Sequence, residues 1–156
     1  MSQTEAHGLP CRCHLEDAAA SADLGRRLAG ALAPGDLLLL RGDLGAGKTT
    51  LVQGLAVGLG IDEAVTSPSF ALAQHYPGQG ERPGLVHVDL YRLEDPHSAD
   101  ELFAQELEEA LSLGAVLAVE WPERLSQPPV GAWRLSLEHA DPADPDAGRI
   151  THLCPP

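Results

Sequence analysis

The sequence predicts a layered α/β fold with a mostly parallel central sheet and antiparallel additions. Three observations carry that prediction. Apolar runs at 37–40 and 115–119, and the run 85–88 broken only by His87, read as strands buried on both faces. Helical patterns lie between them, the alternation that builds parallel sheets covered on both sides. Late in the chain, Trp133, Leu135 and Leu137 alternate with polar residues, as in an antiparallel or edge strand.

The elements follow in order. Residues 1–14 read as a short tail or an entering strand. From 16 to 33 the pattern is helical, with Leu24, Leu28, Ala31 and Leu32 on one face and Pro34-Gly35 as its stop. The first apolar run leads into a glycine-rich turn, then a helix over 48–59 stopped by Gly60. Thr66-Ser67-Pro68-Ser69-Phe70 is a polar loop leading into a strand near 71–75. The second apolar run ends at Asp89. Ser98-x-x-Glu101 is a capping box that opens a helix to about 113, with Leu102, Leu107 and Leu111 as core contacts. The third run ends at Glu120. Two prolines make 127–130 a loop, 141–148 reads as another loop, and 149–153 is a final strand.

The 156 residues suit one domain, read as spanning 1–156. Lys plus Arg is 10 against 23 Asp plus Glu, a net charge of −13. That balance argues against direct DNA binding or a stand-alone nucleic-acid binder, since phosphate backbones need a basic surface. No apolar run approaches the ~20 residues of a membrane span, and Met1 to Pro10 lacks a signal-peptide pattern. A cytoplasmic location is expected. Cys11-Arg12-Cys13-His14 has one residue between its cysteines, short of the usual zinc spacing, so Cys11, Cys13 and Cys154 are expected to be ordinary thiols.

Chemistry enters at Gly42-Asp43-Leu44-Gly45-Ala46-Gly47-Lys48-Thr49, a full match to G-x-x-x-x-G-K-[ST] between a buried strand and a helix. Glycines let the backbone curl around an anion, and the following helix adds its positive N-terminal end. Lys48, the only lysine in the chain, is expected to reach the β- and γ-phosphates. Thr49 is expected to bind Mg²⁺. The predicted fold is therefore of the P-loop NTPase type, in three layers. Acids that place a metal and activate water belong at the carboxyl ends of the parallel strands. Asp89 and Glu120 stand there. Glu120 resembles a Walker-B acid and is assigned the metal side; Asp89 is assigned to orient the attacking water, though the two roles are exchangeable. His87, two residues before Asp89, reads as a packed histidine, and Arg92 as a partner for Asp89 or a phosphate. The chain has no asparagine, so it cannot carry the Asn-Lys-x-Asp guanine reader, and ATP is the expected nucleotide.

Four blocks then resemble one family. They are Gly42 through Thr50, Thr66 through Phe70, His87-Val88-Asp89-Leu90-Tyr91-Arg92-Leu93 and Val119-Glu120-Trp121-Pro122-Glu123-Arg124. In order and spacing they are similar to the TsaE (YjeE) family, from about Leu15 to Arg149. The resemblance implies an ATPase required for threonylcarbamoyladenosine next to the tRNA anticodon. Such an ATPase works with the TsaB and TsaD proteins and meets tRNA indirectly. Carried over, Lys48, Thr49 and Thr50 contact phosphate and Mg²⁺, with Asp43, Leu44, Gly45, Ala46 and Gly47 around them. Lys48, Asp89 and Glu120 are implied to be catalytic, and Thr49 and Glu120 to hold the metal. Trp121, Glu123 and Arg149 lie beside the nucleotide. Ser69 departs from the family's usual threonine, and Gln105-Glu106 replaces a stretch that usually holds glycine. Weak basal hydrolysis is expected, because no residue stands out as an arginine finger. The competing readings on the same fold are a small-molecule kinase and a module that senses ATP without hydrolysing it.

Overall fold

Apolar alternation along the chain decides which side of the sheet each side chain enters. The structure is a computed structural model and describes residues 5–6, 8–68 and 72–156. The elements in order are β1 (Glu5–Ala6), β2 (Leu9–Pro10), β3 (Arg12–Leu15), α1 (Ala18–Leu28), β4 (Leu37–Gly42), α2 (Lys48–Gly58) and β5 (Ala73–Tyr76). There follow β6 (Leu85–Asp89), α3 (Pro96–Leu113), β7 (Val116–Glu120), a 3-10 turn (Pro122–Arg124), β8 (Trp133–Asp141) and β9 (Asp144–Cys154).

Seven strands form one sheet in the order β3-β9-β8-β4-β7-β6-β5. The inner strands β8, β4, β7 and β6 are parallel. Antiparallel strands extend this core: β5 on one side, β9 and then β3 on the other. Leu38, Leu40, Val116 and Ala118 pack with Leu24, Leu28, Leu51 and Leu55 on the α1–α2 side. Leu37, Leu39, Leu117 and Val119 pack with Ala99 and Ala110 of α3 on the other. The expected three layers are present, and each buried leucine contributes roughly 1.5–3 kcal/mol of apolar burial.

Helices α1 and α2 touch backbone to backbone. A Cβ built on Gly54 would lie 1.9 Å from the Ala22 carbonyl oxygen, and one on Gly25 2.0 Å from that of Leu51. Glycine is required at both positions, and α2, which carries Lys48 and Thr49, is thereby held against α1.

Several expectations are corrected. Helix α1 is shorter than 16–33: Asp17 caps it by accepting from the Ala20 N–H, and it ends at Leu28 before a series of turns. Helix α3 starts at Pro96, ahead of the Ser98 box, because Asp95 accepts from the His97 N–H and the Ser98 hydroxyl while proline opens the first turn. Leu111 is 58% exposed; Ala110 takes the inward position. Of the two alternatives for β8, the antiparallel one holds, against β9, while the edge one does not, since β8 also pairs parallel with β4. The expected loop at 141–148 is instead a tight turn between β8 and a long β9. Pro145 is tolerated there because β3 pairs with β9 only from Arg149 onward, leaving that stretch an open edge. Strand β5 begins at Ala73, and Ser69, Phe70 and Ala71 lie outside the described residues. No helix among the described residues is long and apolar enough to cross a membrane.

Candidate functional site

Strands β4, β7 and β6 end together, and their last residues meet the start of α2. Gly45 and Gly47 hold φ of +78° and +102°, a left-handed backbone that glycine adopts without a Cβ penalty. Gly47 caps α2 with no side-chain hydrogen bond, so no side chain competes for the helix's first N–H groups. Register places Asp89 beside Glu120 on adjacent strands. The alternation that sends Leu85 and Val116 to the α2 side also sends His87, Asp89 and Glu120 there.

The resulting cleft has a volume of about 290 Å³. Its lining includes Leu44 through Thr50, Ser67, Asp89, Glu120 and Trp121. Lys48 is 5% exposed; its ammonium donates to the Gly42 carbonyl and lies 3.9 Å from the Trp121 ring centroid. Thr49 Oγ1 donates to Glu120 Oε2 at 3.4 Å. The same carboxylate oxygen meets His87 Nε2 at 2.5 Å, and His87 is fully buried. Asp89 accepts from the Tyr91 N–H at 3.0 Å.

The charges are under tension. Burial lowers the Lys48 pKa, even though Glu120, Asp89, Glu123 and Asp43 all favour its charged form. Burial raises the Asp89 pKa; the Tyr91 N–H opposes the rise, and Glu120 reinforces it. A cation kept from water beside crowded carboxylates is suited to an anion that brings a countercharge of its own. Thr49 and Glu120 are hard oxygen donors set side by side, which fits Mg²⁺, an ion that takes one or two protein oxygens and keeps several waters. Among the described residues no cluster of three or more His, Cys, Asp or Glu side chains could hold a metal.

Three of the expected site residues lie outside or at the rim of this cleft. Arg149 lines a hollow of about 420 Å³ on the other side of the loop, shared with Gly45, Ala46, Gly47 and Thr50. Its guanidinium donates to the Gly45 carbonyl at 3.1 Å and the Ala46 carbonyl at 3.2 Å, tying β9 to the loop. Asp43 and Glu123 line a third hollow, of about 520 Å³, with Trp121 on the boundary between it and the central cleft. Arg92 is exposed and, among the described residues, makes no ion pair with Asp89.

Two features escaped sequence reasoning. One is the His87–Glu120 contact; the visible signal was the shared strand face of His87 and Asp89, but the partner needed the β6–β7 register. The other is the backbone of Trp121, left-handed at φ +62°. That conformation costs of order 1–2 kcal/mol and turns the ring back over Lys48 and against Tyr91, 4.8 Å away. Nothing in the local sequence marks it beyond the following proline.

Fold and loop together define the class: a three-layer α/β domain of the P-loop type, with carboxylates at the ends of neighbouring strands facing the loop. The family model described as threonylcarbamoyl adenosine biosynthesis protein TsaE matches residues 15–147. The chain belongs to the TsaE family, which is involved in tRNA threonylcarbamoyladenosine biosynthesis. It is 52% identical over 101 residues to the tRNA threonylcarbamoyladenosine biosynthesis protein TsaE of Streptomyces coelicolor, covering 65% of this chain and 66% of that protein. To the protein of that name from Mycobacterium tuberculosis it is 44% identical over 122 residues, covering 76% of this chain and 68% of the relative. The chain thus spans about two thirds of the length of these relatives. The solved structure of Bacillus subtilus YdiB superposes with a TM-score of 0.68 at 28% identity, covering 93% of this chain and 85% of that one.

Proposed function

We propose that the chain is a magnesium-dependent ATPase of weak basal turnover. It acts in the cytoplasm with the TsaB–TsaD complex in threonylcarbamoyl modification of tRNA, which it meets only through that complex. One observation carries the reading: Lys48, Thr49, Asp89 and Glu120 come from α2, β6 and β7 to line a single cleft at the mouth of the loop. Lys48 meets the β- and γ-phosphates, and the loop from Asp43 to Gly47 surrounds them, with Thr50 beside. Thr49 and Glu120 hold Mg²⁺, which when bound neutralises phosphate charge. Asp89, beside Glu120 and raised in pKa, orients the attacking water. Trp121, Glu123 and Arg149 border the nucleotide, Arg149 through the loop carbonyls it grips.

The test is hydrolysis of labelled ATP by the purified chain, alone and with TsaB–TsaD and tRNA. Free phosphate that rises on adding the complex supports the proposal. Label appearing on a small metabolite points to a kinase, and nucleotide binding without turnover under any condition points to a sensor. Lys48→Ala is expected to abolish productive binding. Asp89→Ala is expected to keep binding and lose turnover; normal levels of both would remove Asp89 from its role.

A further inference from the structure

The sheet face opposite α1 and α2 is only partly covered. Helix α3 packs over β6 and β7, whereas Trp133, Leu135, Leu137 and Leu153 of β8 and β9 enter the core on the α1–α2 side. The other face of these strands is mostly polar, with Ile150 as an apolar residue on it. Register sets Arg134 beside Cys154, Ser136 beside His152, and His152 beside Arg12 of β3. Arg41 of β4 lies level with Ser136, and His14 with Ile150.

The sign of this face is unusual for the chain. Against a net charge of −13, the paired strand residues on this face include Arg12, Arg41 and Arg134 with His14 and His152, beside the carboxylate of Glu138. The three arginines are exposed and, among the described residues, make no ion pair. A merely solvated face would be expected to mix both signs. Between the cations lies an apolar floor: Leu39, Pro122 and Pro128 line a hollow of about 340 Å³ with Arg41, Arg134 and His152. Arg41 and Ser136 also line the neighbouring hollow that reaches Trp121, where Asp43, Glu123 and Glu138 return the sign to negative and mark the limit of the basic face.

We propose that this open face docks an acidic segment of a partner protein that also carries apolar side chains. Charge complementarity selects acid, and the proline- and leucine-lined floor selects apolar contact; arginine is the cation that interfaces favour. An RNA strand fits less well. Among its described residues the face presents no Phe, Tyr or Trp side chain on which bases could stack, and the surrounding negative charge repels a long polyanion. The inference rests on the proposed function for the partner used in its test.

The test measures the affinity of the full chain for TsaB–TsaD, comparing wild type, the double variant Arg12→Glu with Arg134→Glu, and the same pair changed to Lys. The expected result is binding about tenfold or more weaker in the charge-reversed variant, most of it retained with lysine, and weakened by salt in the wild type. Basal ATP hydrolysis, unchanged in all three, reports an intact fold. Unaltered affinity after charge reversal overturns the docking inference and leaves the assembly standing. No binding by the wild type overturns both together. Retention of tRNA by the isolated chain, lost on charge reversal, overturns the protein partner in favour of nucleic acid.

Discussion

Glu120 sits at 3% exposure with one oxygen shared between His87 and Thr49, so its orientation is set by those neighbours. Partners that hold a metal-side carboxylate typically change metal affinity or activity 10–100-fold when removed. His87→Leu is therefore expected to raise the magnesium needed for half-maximal ATP hydrolysis at least tenfold. His87→Gln, which keeps a donor, should lose less; a magnesium titration indifferent to both would sink the assignment. Asp89 gives a pH prediction. Its folded pKa is raised by burial, so ionised Asp89 opposes folding above that pKa. The opposition fades as pH falls through the folded value toward the unfolded one. Asp89→Asn should thus melt at or above the wild-type temperature at neutral pH. The difference should shrink as the solution is acidified toward the ordinary carboxylate range, as thermal unfolding across pH would reveal.

At the scale of elements, the α1–α2 contact positions the loop. Gly54→Ala gains up to about 1 kcal/mol of helix propensity. It also places a Cβ 1.9 Å from the Ala22 carbonyl oxygen, a backbone atom that cannot rotate away. Overpacking costs typically 1–3 kcal/mol even where side chains can yield, so the clash wins. The expected outcome is a lower urea midpoint together with weaker nucleotide affinity, because α2 carries Lys48 and Thr49. An unchanged midpoint would mean the helices separate freely. The β9 strand reaches the same loop from the other side through Arg149, so two elements distant in sequence hold one turn.

For the whole molecule, binding should be visible as stability. A ligand that binds only the folded state at 100 times its Kd adds about 2.7 kcal/mol, or roughly 5–10 °C in Tm at this size. ATP with magnesium is expected to raise the melting temperature of the wild type by that order. Lys48→Ala should show no shift, and chelating the magnesium should reduce it in the wild type. The net charge of −13 sets the background for association: a basic face is conspicuous on such a molecule, and its contacts should weaken with salt.

Much of this was legible in one dimension. The runs that became β4, β6 and β7, the loop from Gly42 to Thr49 and the acids at Asp89 and Glu120 announce themselves, because buried parallel strands are continuous apolar runs and an anion-binding turn needs glycines and a lysine at set intervals. The fold class follows from the same local signals. Other features depend on neighbours remote in the chain. The place of β8 inside the sheet, His87 against Glu120, Arg149 on the loop carbonyls and the Trp121 ring over Lys48 each join residues from separate elements. Strand order and register bring such pairs within hydrogen-bond or ring-contact range. Local propensity does not encode them, because the energy that selects them arises only when the layers pack.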